Sequence, residues 1–384
     1  MPKEVRIVAA NDPIGALLAI AEAFAGGPAV FLSPPKALDE TPTGVTARAT
    51  SSATALIIES SGSTGYPKRI ELSQSALVAS AEATISRLGG AGQWLLALPV
   101  NYIAGAQVLV RSLLSETQPV VMNTAVPFTA EGFARAASQM TGSRRYAALV
   151  PTQLHRLATA IQDEFLLEQL KRFDAILVGG QAVNQIDFAI LVDAGVNLIE
   201  TYGMTETAGG CVYDGVPLPG VTIRLSPLEI STAPNTAGQP ATEGISESGR
   251  IEISGAMLAE GIGEWLQTED VGELDAAGKL RVLGRIDRVV NSGGIKVALD
   301  RVELVAQQVG GVTQVAAVAL PSLEWGQQVA VVYSGSPEVA DSIAQQLADE
   351  LGPAGRPVRV IRVSAIPQLP NQKVDYRAVS QLLS

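Results

Sequence analysis

The residues Ser60-Ser61-Gly62-Ser63-Thr64-Gly65-Tyr66-Pro67-Lys68-Arg69 combine glycines, hydroxyls and a lysine at the end of an apolar run. Glycines let the backbone curl until several N–H groups converge on one anion, hydroxyls add donors, and Lys68 supplies a point charge suited to phosphate. That is the composition of a phosphate-binding loop, and also of an ordinary flexible connection. It is not the P-loop of nucleoside triphosphatases, because Pro67 precedes Lys68 and no Gly-Lys-Ser/Thr is present. A second cluster, Thr201-Tyr202-Gly203-Met204-Thr205-Glu206-Thr207, follows the run Asn197-Leu-Ile-Glu. There Tyr202 can stack a purine, Gly203 can admit phosphates closely, and Thr205 and Glu206 can hold a Mg2+ ion bridging phosphate oxygens. The same letters describe a capped helix start with Thr205 as N-cap, and both readings can hold at once.

Composition narrows the chemistry further. A single cysteine, Cys211, excludes an intrachain disulfide and any multi-cysteine metal site, and its simplest reading is a small buried filler. The one histidine, His155, excludes paired-histidine chemistry; in Pro-Thr-Gln-Leu-His-Arg-Leu it reads as a structural residue near a helix start. The net charge of −11 argues against nucleic acid and anionic membrane as partners, so the few cations set among glycines must neutralise any polyanionic ligand. Apolar runs are too short to span a bilayer, and the N-terminus lacks the pattern of a signal peptide, so the expectation is a cytoplasmic protein. Association into an oligomer is compatible with the sequence.

Several segments share one pattern, an apolar run ending in small or polar residues and followed by a helix-like stretch: Ala55-Leu-Ile-Ile-Glu-Ser, Trp94-Leu-Leu-Ala-Leu-Pro, Tyr146-Ala-Ala-Leu-Val-Pro, Asp174-Ala-Ile-Leu-Val-Gly-Gly and Asn197-Leu-Ile-Glu-Thr-Tyr-Gly. Strands alternating with helices predict an α/β architecture with largely parallel sheets, and ligands in such sheets sit at the carboxyl ends of the strands. Both clusters above fall there. From Val221 the texture changes to short β-like pieces around a polar stretch between Ser226 and Gly249, which predicts a β subdomain with a long loop. After Gly284 the pattern predicts a compact α+β unit: a helix over Leu299 to Val309, β runs at 315–320 and 329–333, a helix from Pro337 to Leu351 and a last run at 358–363. At 384 residues the chain suits a large domain, 1–284, joined by a hinge to a small mobile one, 285–384.

Together the two clusters resemble the adenylate-forming superfamily of acyl-CoA ligases, adenylation domains and luciferase-like enzymes. Three further stretches extend the match. Trp265-Leu-Gln-Thr-Glu-Asp270 resembles the family's ribose-binding segment, Gly284-Arg285-Ile-Asp287 through Gly293-Gly294-Ile-Lys296 its interdomain hinge, and Leu369-Pro-Asn-Gln-Lys373-Val-Asp its C-terminal lysine segment. The resemblance implies ATP, Mg2+ and CoA as cofactors and a small carboxylic acid as partner substrate. It implies that Ser61, Gly62, Ser63, Thr64, Gly65 and Lys68 cradle phosphates, that Gly180, Gln181 and Tyr202 frame adenine with Gly203 close by, and that Asp270 with Arg285 holds the ribose. Thr205 and Glu206 would face the phosphates and metal, Lys373 would bridge the substrate carboxylate and the α-phosphate, Asp287 would be the pivot, and Gly293 and Gly294 would admit the pantetheine arm. Arg69 stands where the family has glycine, Gln267-Thr-Glu-Asp270 replaces Arg-Thr-Gly-Asp, and the large domain is shortened at its amino-terminal side.

The acid is read from Leu98-Pro-Val-Asn-Tyr102-Ile-Ala-Gly105 through Arg111, which resembles the o-succinylbenzoate-CoA ligases of menaquinone biosynthesis, in which a similar Leu-Pro…Gly…Arg stretch carries a substrate-binding arginine. Tyr102, Gly105 and Arg111 are the expected substrate residues, with Asn101-Tyr102 in place of the usual histidine. A second carboxylate left over after activation needs a cation in an apolar pocket, and Arg111 follows an apolar Val-Leu-Val run. Alternatives are a ligase or adenylation enzyme for another acid, or a silent nucleotide-binding protein; retention of Lys68, Glu206 and Lys373 speaks against silence.

Overall fold

The computed structural model describes residues 3–34, 51–61, 67–227, 248–369 and 374–383. They fall into two compact units, Met1–Ile223 with Ile253–Leu266, and Arg224–Glu252 with Gln267–Ser384.

The first unit is built on two sheets. Strands Val5–Ala9, Ala29–Ser33, Thr54–Ser61 and Pro67–Ser73 form one, parallel across the first three and closed by an antiparallel neighbour. Two strands therefore precede the Ala55 run. The second sheet has seven strands in the order Val216–Pro217, Gly209–Tyr213, Leu198–Met204, Ala175–Gly179, Arg145–Leu149, Gln93–Leu96, Val120–Val121. From Leu198–Met204 to Val120–Val121 every pairing is parallel. Trp94, Leu95, Leu96, Tyr146, Ala147, Ile176 and Val178 are fully buried, as expected when helices cover both faces of a parallel sheet and leave no polar side. The helices begin where hydroxyl and amide side chains can accept orphan N–H groups: Ser73 caps Gln74–Arg87, Thr129 caps Ala130–Ser138 and Asn184 caps Gln185–Asp193.

In the second unit the hairpin Leu266–Leu274 and Leu280–Arg285 belongs to a four-stranded sheet with Val221–Ser226 and Ser248–Gly255. A five-stranded sheet follows, ordered Ile295–Ala298, Val289–Ser292, Gly326–Gly335, Val312–Ser322, with Arg359–Arg362 added parallel to Gly326–Gly335. Helices Leu299–Gln307 and Ala340–Leu351 pack on it through Val302, Val305, Ile343 and Leu347. The hairpin segregates with the C-terminal elements because the Asp300 carboxylate accepts the Arg285 N–H at 2.7 Å and lies against Gly284. The edge of the second compact unit falls at Gln267. No helix among the described residues is long and apolar enough to cross a membrane.

Candidate active site

Residues Thr201 to Glu206 continue past the buried part of their strand as a half-exposed ledge, then turn through a single 3-10 turn, Thr205–Thr207. Thr205 is not an N-cap; the capping hydroxyl is that of Thr207, which accepts the Met204 N–H at 2.9 Å and donates to the Gly209 carbonyl at 2.7 Å. Ala208 is left-handed at φ 49°, and its carbonyl receives two buried donors, Ser80 Oγ at 2.9 Å and Gln107 Nε2 at 2.8 Å. These bonds fix the turn that presents Glu206, since a left-handed non-glycine residue persists only where surroundings over-determine it. Gly203 opposes Gly210, and a Cβ there would meet the Gly209 carbonyl oxygen at 2.2 Å, so only glycine lets these strands approach.

The Glu206 carboxylate lies 3.9 Å from Lys68 Nζ, so the two clusters singled out from sequence meet in space. A lysine beside a partly exposed carboxylate fits phosphate and Mg2+ together, because Mg2+ takes one or two protein carboxylates and fills its remaining positions from phosphate and water. Among the described residues no group of three or more acidic, histidine or cysteine side chains is placed to hold a metal ion. Ser61 ends its strand, while Gly62, Ser63, Thr64 and Gly65 lie outside the described residues. Gly180, at φ 87°, and Gln181 follow the adjacent strand Ala175–Gly179, whose Gly179 pairs with Thr201. That places Gly180, Gln181 and Tyr202 at neighbouring strand ends.

Beneath this ledge runs a lane of buried polar groups. Ser80 and Thr84 come from Gln74–Arg87, Gln107 and Arg111 from Ile103–Leu114, and Tyr213 from the strand Gly209–Tyr213. Thr84 Oγ1 donates to the Ser80 carbonyl, which leaves the Tyr213 hydroxyl to donate to Thr84 over 2.9 Å. Gln107 is wholly buried and its Oε1 has no partner. Arg111 is 3% exposed; its guanidinium lies 5.0 Å from the Trp94 ring centroid, and its Nε has no hydrogen-bond partner. Burial lowers its pKa from the ordinary arginine value, opposed only by Tyr213, and no carboxylate among the described residues is paired with it. A cavity of about 40 Å3 lined by Ser80, Gly210, Cys211 and Met257 adjoins the lane. Burial pushes the Cys211 thiol up to about 12, so it is the inert filler expected.

Tyr102 is the residue before Ile103–Leu114 and is half-buried, with its hydroxyl pKa raised by that burial. Gly105 faces no open space: a Cβ there would strike the Pro99 carbonyl oxygen at 2.3 Å. The missing side chain lets the Leu98–Pro99 backbone run against the helix at this point. His155 bonds to Asp187 at 3.0 Å, tying Pro151–Thr159 to Gln185–Asp193, a structural role as expected.

In the second unit Asp270 and Arg285 are register partners on adjacent strands, 3.6 Å apart at Oδ1 and Nη1. Arg285 also grips Asp287 through two parallel bonds of 2.8 and 2.9 Å, which holds the Asp287 carboxyl below its usual pKa. Asp270 is 8% exposed, and its N–H is accepted by Thr268 Oγ1 at 3.1 Å. Gly293 and Gly294, at φ 59° and 87°, form the two-residue turn between Val289–Ser292 and Ile295–Ala298, where both positions demand a left-handed backbone. A Cβ on Gly293 would come within 2.3 Å of the Trp325 ring, while nothing lies near Gly294. Trp325, 45% exposed, is a residue that sequence reasoning missed; its signal was an aromatic in the polar turn Ser322-Leu-Glu-Trp-Gly. Ser80 and Gln107 were missed too, and only Gln107, polar within an apolar helix, left a trace. Lys373 lies outside the described residues.

A comparison with family descriptions matches residues 7–262 to "AMP-binding enzyme". The chain belongs to this AMP-binding enzyme family. Within it, the chain is 35% identical over 342 residues to a "Probable 2-succinylbenzoate--CoA ligase" of Mycobacterium tuberculosis, covering 85% of this chain and 83% of that protein. A 4-chlorobenzoate--CoA ligase from Arthrobacter is 28% identical over 86% of this chain and 66% of its own. The solved o-succinylbenzoate CoA synthetase (MenE) of Bacillus subtilis, in complex with its acyl-adenylate intermediate OSB-AMP, superimposes with a TM-score of 0.72 at 19% identity, over 98% of this chain and 82% of that one. The relatives it matches in this family are named as acid–CoA ligases.

One expectation for the AMP-binding fold here concerns its glycine hairpin. Gly293→Ala should lose about 1–2 kcal/mol through its left-handed backbone, and should also raise the KM for CoA because the methyl displaces Trp325. Gly294→Ala carries the backbone strain alone. Thermal melts and CoA titrations of both variants check this; matching CoA behaviour would mean the Trp325 contact is irrelevant.

Proposed function

We propose that this ligase activates 2-succinylbenzoate with ATP as the acyl-adenylate and transfers the acyl group to CoA, releasing AMP and pyrophosphate, in the cytoplasm and in the service of menaquinone biosynthesis. The observation that carries the substrate is Arg111. A buried cation is ordinarily paired, because removing a charge from water costs several kcal/mol unless a counter-charge is supplied. Among the described residues Arg111 has no carboxylate partner, and its Nε has no hydrogen-bond partner. A dicarboxylic acid whose first carboxylate reacts at the ledge supplies its second to that cation.

In this reading Lys68 and the glycine loop hold the phosphates, Gly180, Gln181 and Tyr202 hold adenine, and Asp270 with Arg285 holds ribose. Attack of a carboxylate on the α-phosphate brings two anions together, so the rate depends on alignment and on cations facing the developing charge. Lys373 supplies one; Mg2+ held at Glu206 beside Thr205 would supply the other by neutralising phosphate oxygens. Backbone rotation at Asp287 then exchanges Lys373 for the Gly293-Gly294 turn, where the thiol arm passes against glycine and the exposed Trp325 indole.

The test is a panel of acids incubated with ATP, Mg2+ and CoA, following CoA consumption and AMP release. 2-Succinylbenzoate should be turned over with the largest kcat/KM, well ahead of benzoate and 4-chlorobenzoate. Preference for a monocarboxylic aryl acid would overturn the assignment and return the chain to the wider ligase family.

A further inference from the structure

A cluster of charges outside the nucleotide site connects the Asp287 turn to the C-terminal helix. Arg288 ends the 3-10 turn Ile286–Arg288, and its largely buried guanidinium contacts Asp300 and binds Glu303 at 2.7 Å, both on Leu299–Gln307. It also donates to the Ala317 carbonyl at 3.0 Å and to the Tyr376 hydroxyl at 2.8 Å, and it lies 3.9 Å over the Tyr376 ring. Tyr376 donates in turn to Glu303 at 3.1 Å, and Glu303 accepts the Ala317 N–H at 2.7 Å. Burial, reinforced by Glu303, raises the Tyr376 pKa far above the ordinary phenol value, so its hydroxyl remains a donor. Every charge in the cluster has a partner, which makes it rigid rather than merely tolerated.

Tyr376 opens the helix Tyr376–Leu382, which Asp375 caps by accepting the Arg377 and Ala378 N–H groups. Just before it, a bridge pairs Gln368 with Val374, and the Asp375 N–H donates to the Pro367 carbonyl at 2.9 Å. The two ends of the stretch that contains Lys373 are thereby held together, and the cluster ties that anchor to the turn of Asp287. We propose that Arg288, Glu303 and Tyr376 are positioning residues for adenylate formation: they tie the turn of Asp287 to Val374, Asp375 and Tyr376, the residues that follow Lys373 in the chain. This rests on the reading of Lys373 as the lysine of the first half-reaction.

The test is Tyr376→Phe, which removes only the hydroxyl and keeps the ring under Arg288, with Arg288→Lys as a second variant that keeps charge but loses the fork. Adenylate formation is followed by pyrophosphate release, thioester formation by supplying the preformed acyl-adenylate with CoA, and folding by thermal melt. In Tyr376→Phe adenylate formation should fall about 10-fold, the scale of a slightly misplaced catalytic group, with thioester formation nearly unchanged; Arg288→Lys, which loses several buried bonds, should melt lower and show the same split between the half-reactions. Equal loss in both half-reactions would mark a general structural cluster and overturn the proposal. So would a normal Tyr376→Phe beside a crippled Lys373→Ala. If Lys373→Ala itself forms adenylate normally, the assignment of the lysine fails and this proposal falls with it.

Discussion

Lys373→Ala should lower acyl-adenylate formation by about 10²-fold, the effect of losing one charge stabiliser that acts on the transition state, or about 2.7 kcal/mol. The lysine would lie between the attacking carboxylate and the α-phosphate, where negative charge on the reacting oxygens must be offset before they can approach. Binding of ATP should change little, since Lys68 and the ledge around Glu206 do not depend on it. Thioester formation from a preformed adenylate should be nearly spared, because the rotation proposed at Asp287 would remove the lysine from the site before CoA enters. Separate measurement of pyrophosphate release and of CoA acylation checks both halves. Equal damage to the two would mean that Lys373 acts by holding the fold.

Removing the buried cation should have the second-largest effect. Truncating one side of a poorly solvated charged hydrogen bond costs roughly 2 to 5 kcal/mol, so Arg111→Ala should lose on the order of 30-fold or more in kcat/KM for 2-succinylbenzoate. Arg111 also packs on Trp94, whose ring is fully buried, so the alanine variant leaves a hole as well as removing a charge. Arg111→Met keeps most of the stem volume and separates the two effects. Both variants should act on a monocarboxylic analogue much as the wild type does, since that acid lacks the group being read. Kinetics on the paired acids, with melting temperatures, decide the matter. Parallel losses on both acids would make Arg111 a structural arginine resting on its indole.

Much of the architecture was legible because burial leaves a direct mark on residue choice. Runs such as Trp94-Leu-Leu and Ala147-Ala-Leu carry no polar side, and only a strand covered on both faces needs that. The helix Leu299–Gln307, the long hairpin Val312–Ser322 with Gly326–Gly335 and the helix Ala340–Leu351 likewise fell where periodicity had them. Boundaries between units were less legible. The hairpin ending at Arg285 reads as part of the preceding β texture, yet the Asp300 carboxylate binds it to the helix that follows. A contact across fifteen residues leaves no periodic trace.

The sequence by itself determined the chemistry: glycines, hydroxyls, Lys68 and Glu206 in ordered segments, because phosphate recognition uses local backbone geometry that short motifs encode. Only the tertiary structure decided that Lys68 meets Glu206, that a Cβ at Gly105 has no room, that Ser80 and Gln107 pin the turn after Glu206, and that Arg111 is buried without a carboxylate partner among the described residues. Those are facts about which helices and strands lie side by side, and a side chain's partner depends on that arrangement rather than on its own neighbours in the chain. An arginine after Val-Leu-Val reads alike whether it faces water, a glutamate or an indole; the packing of helices against strands is what buries this one against Trp94.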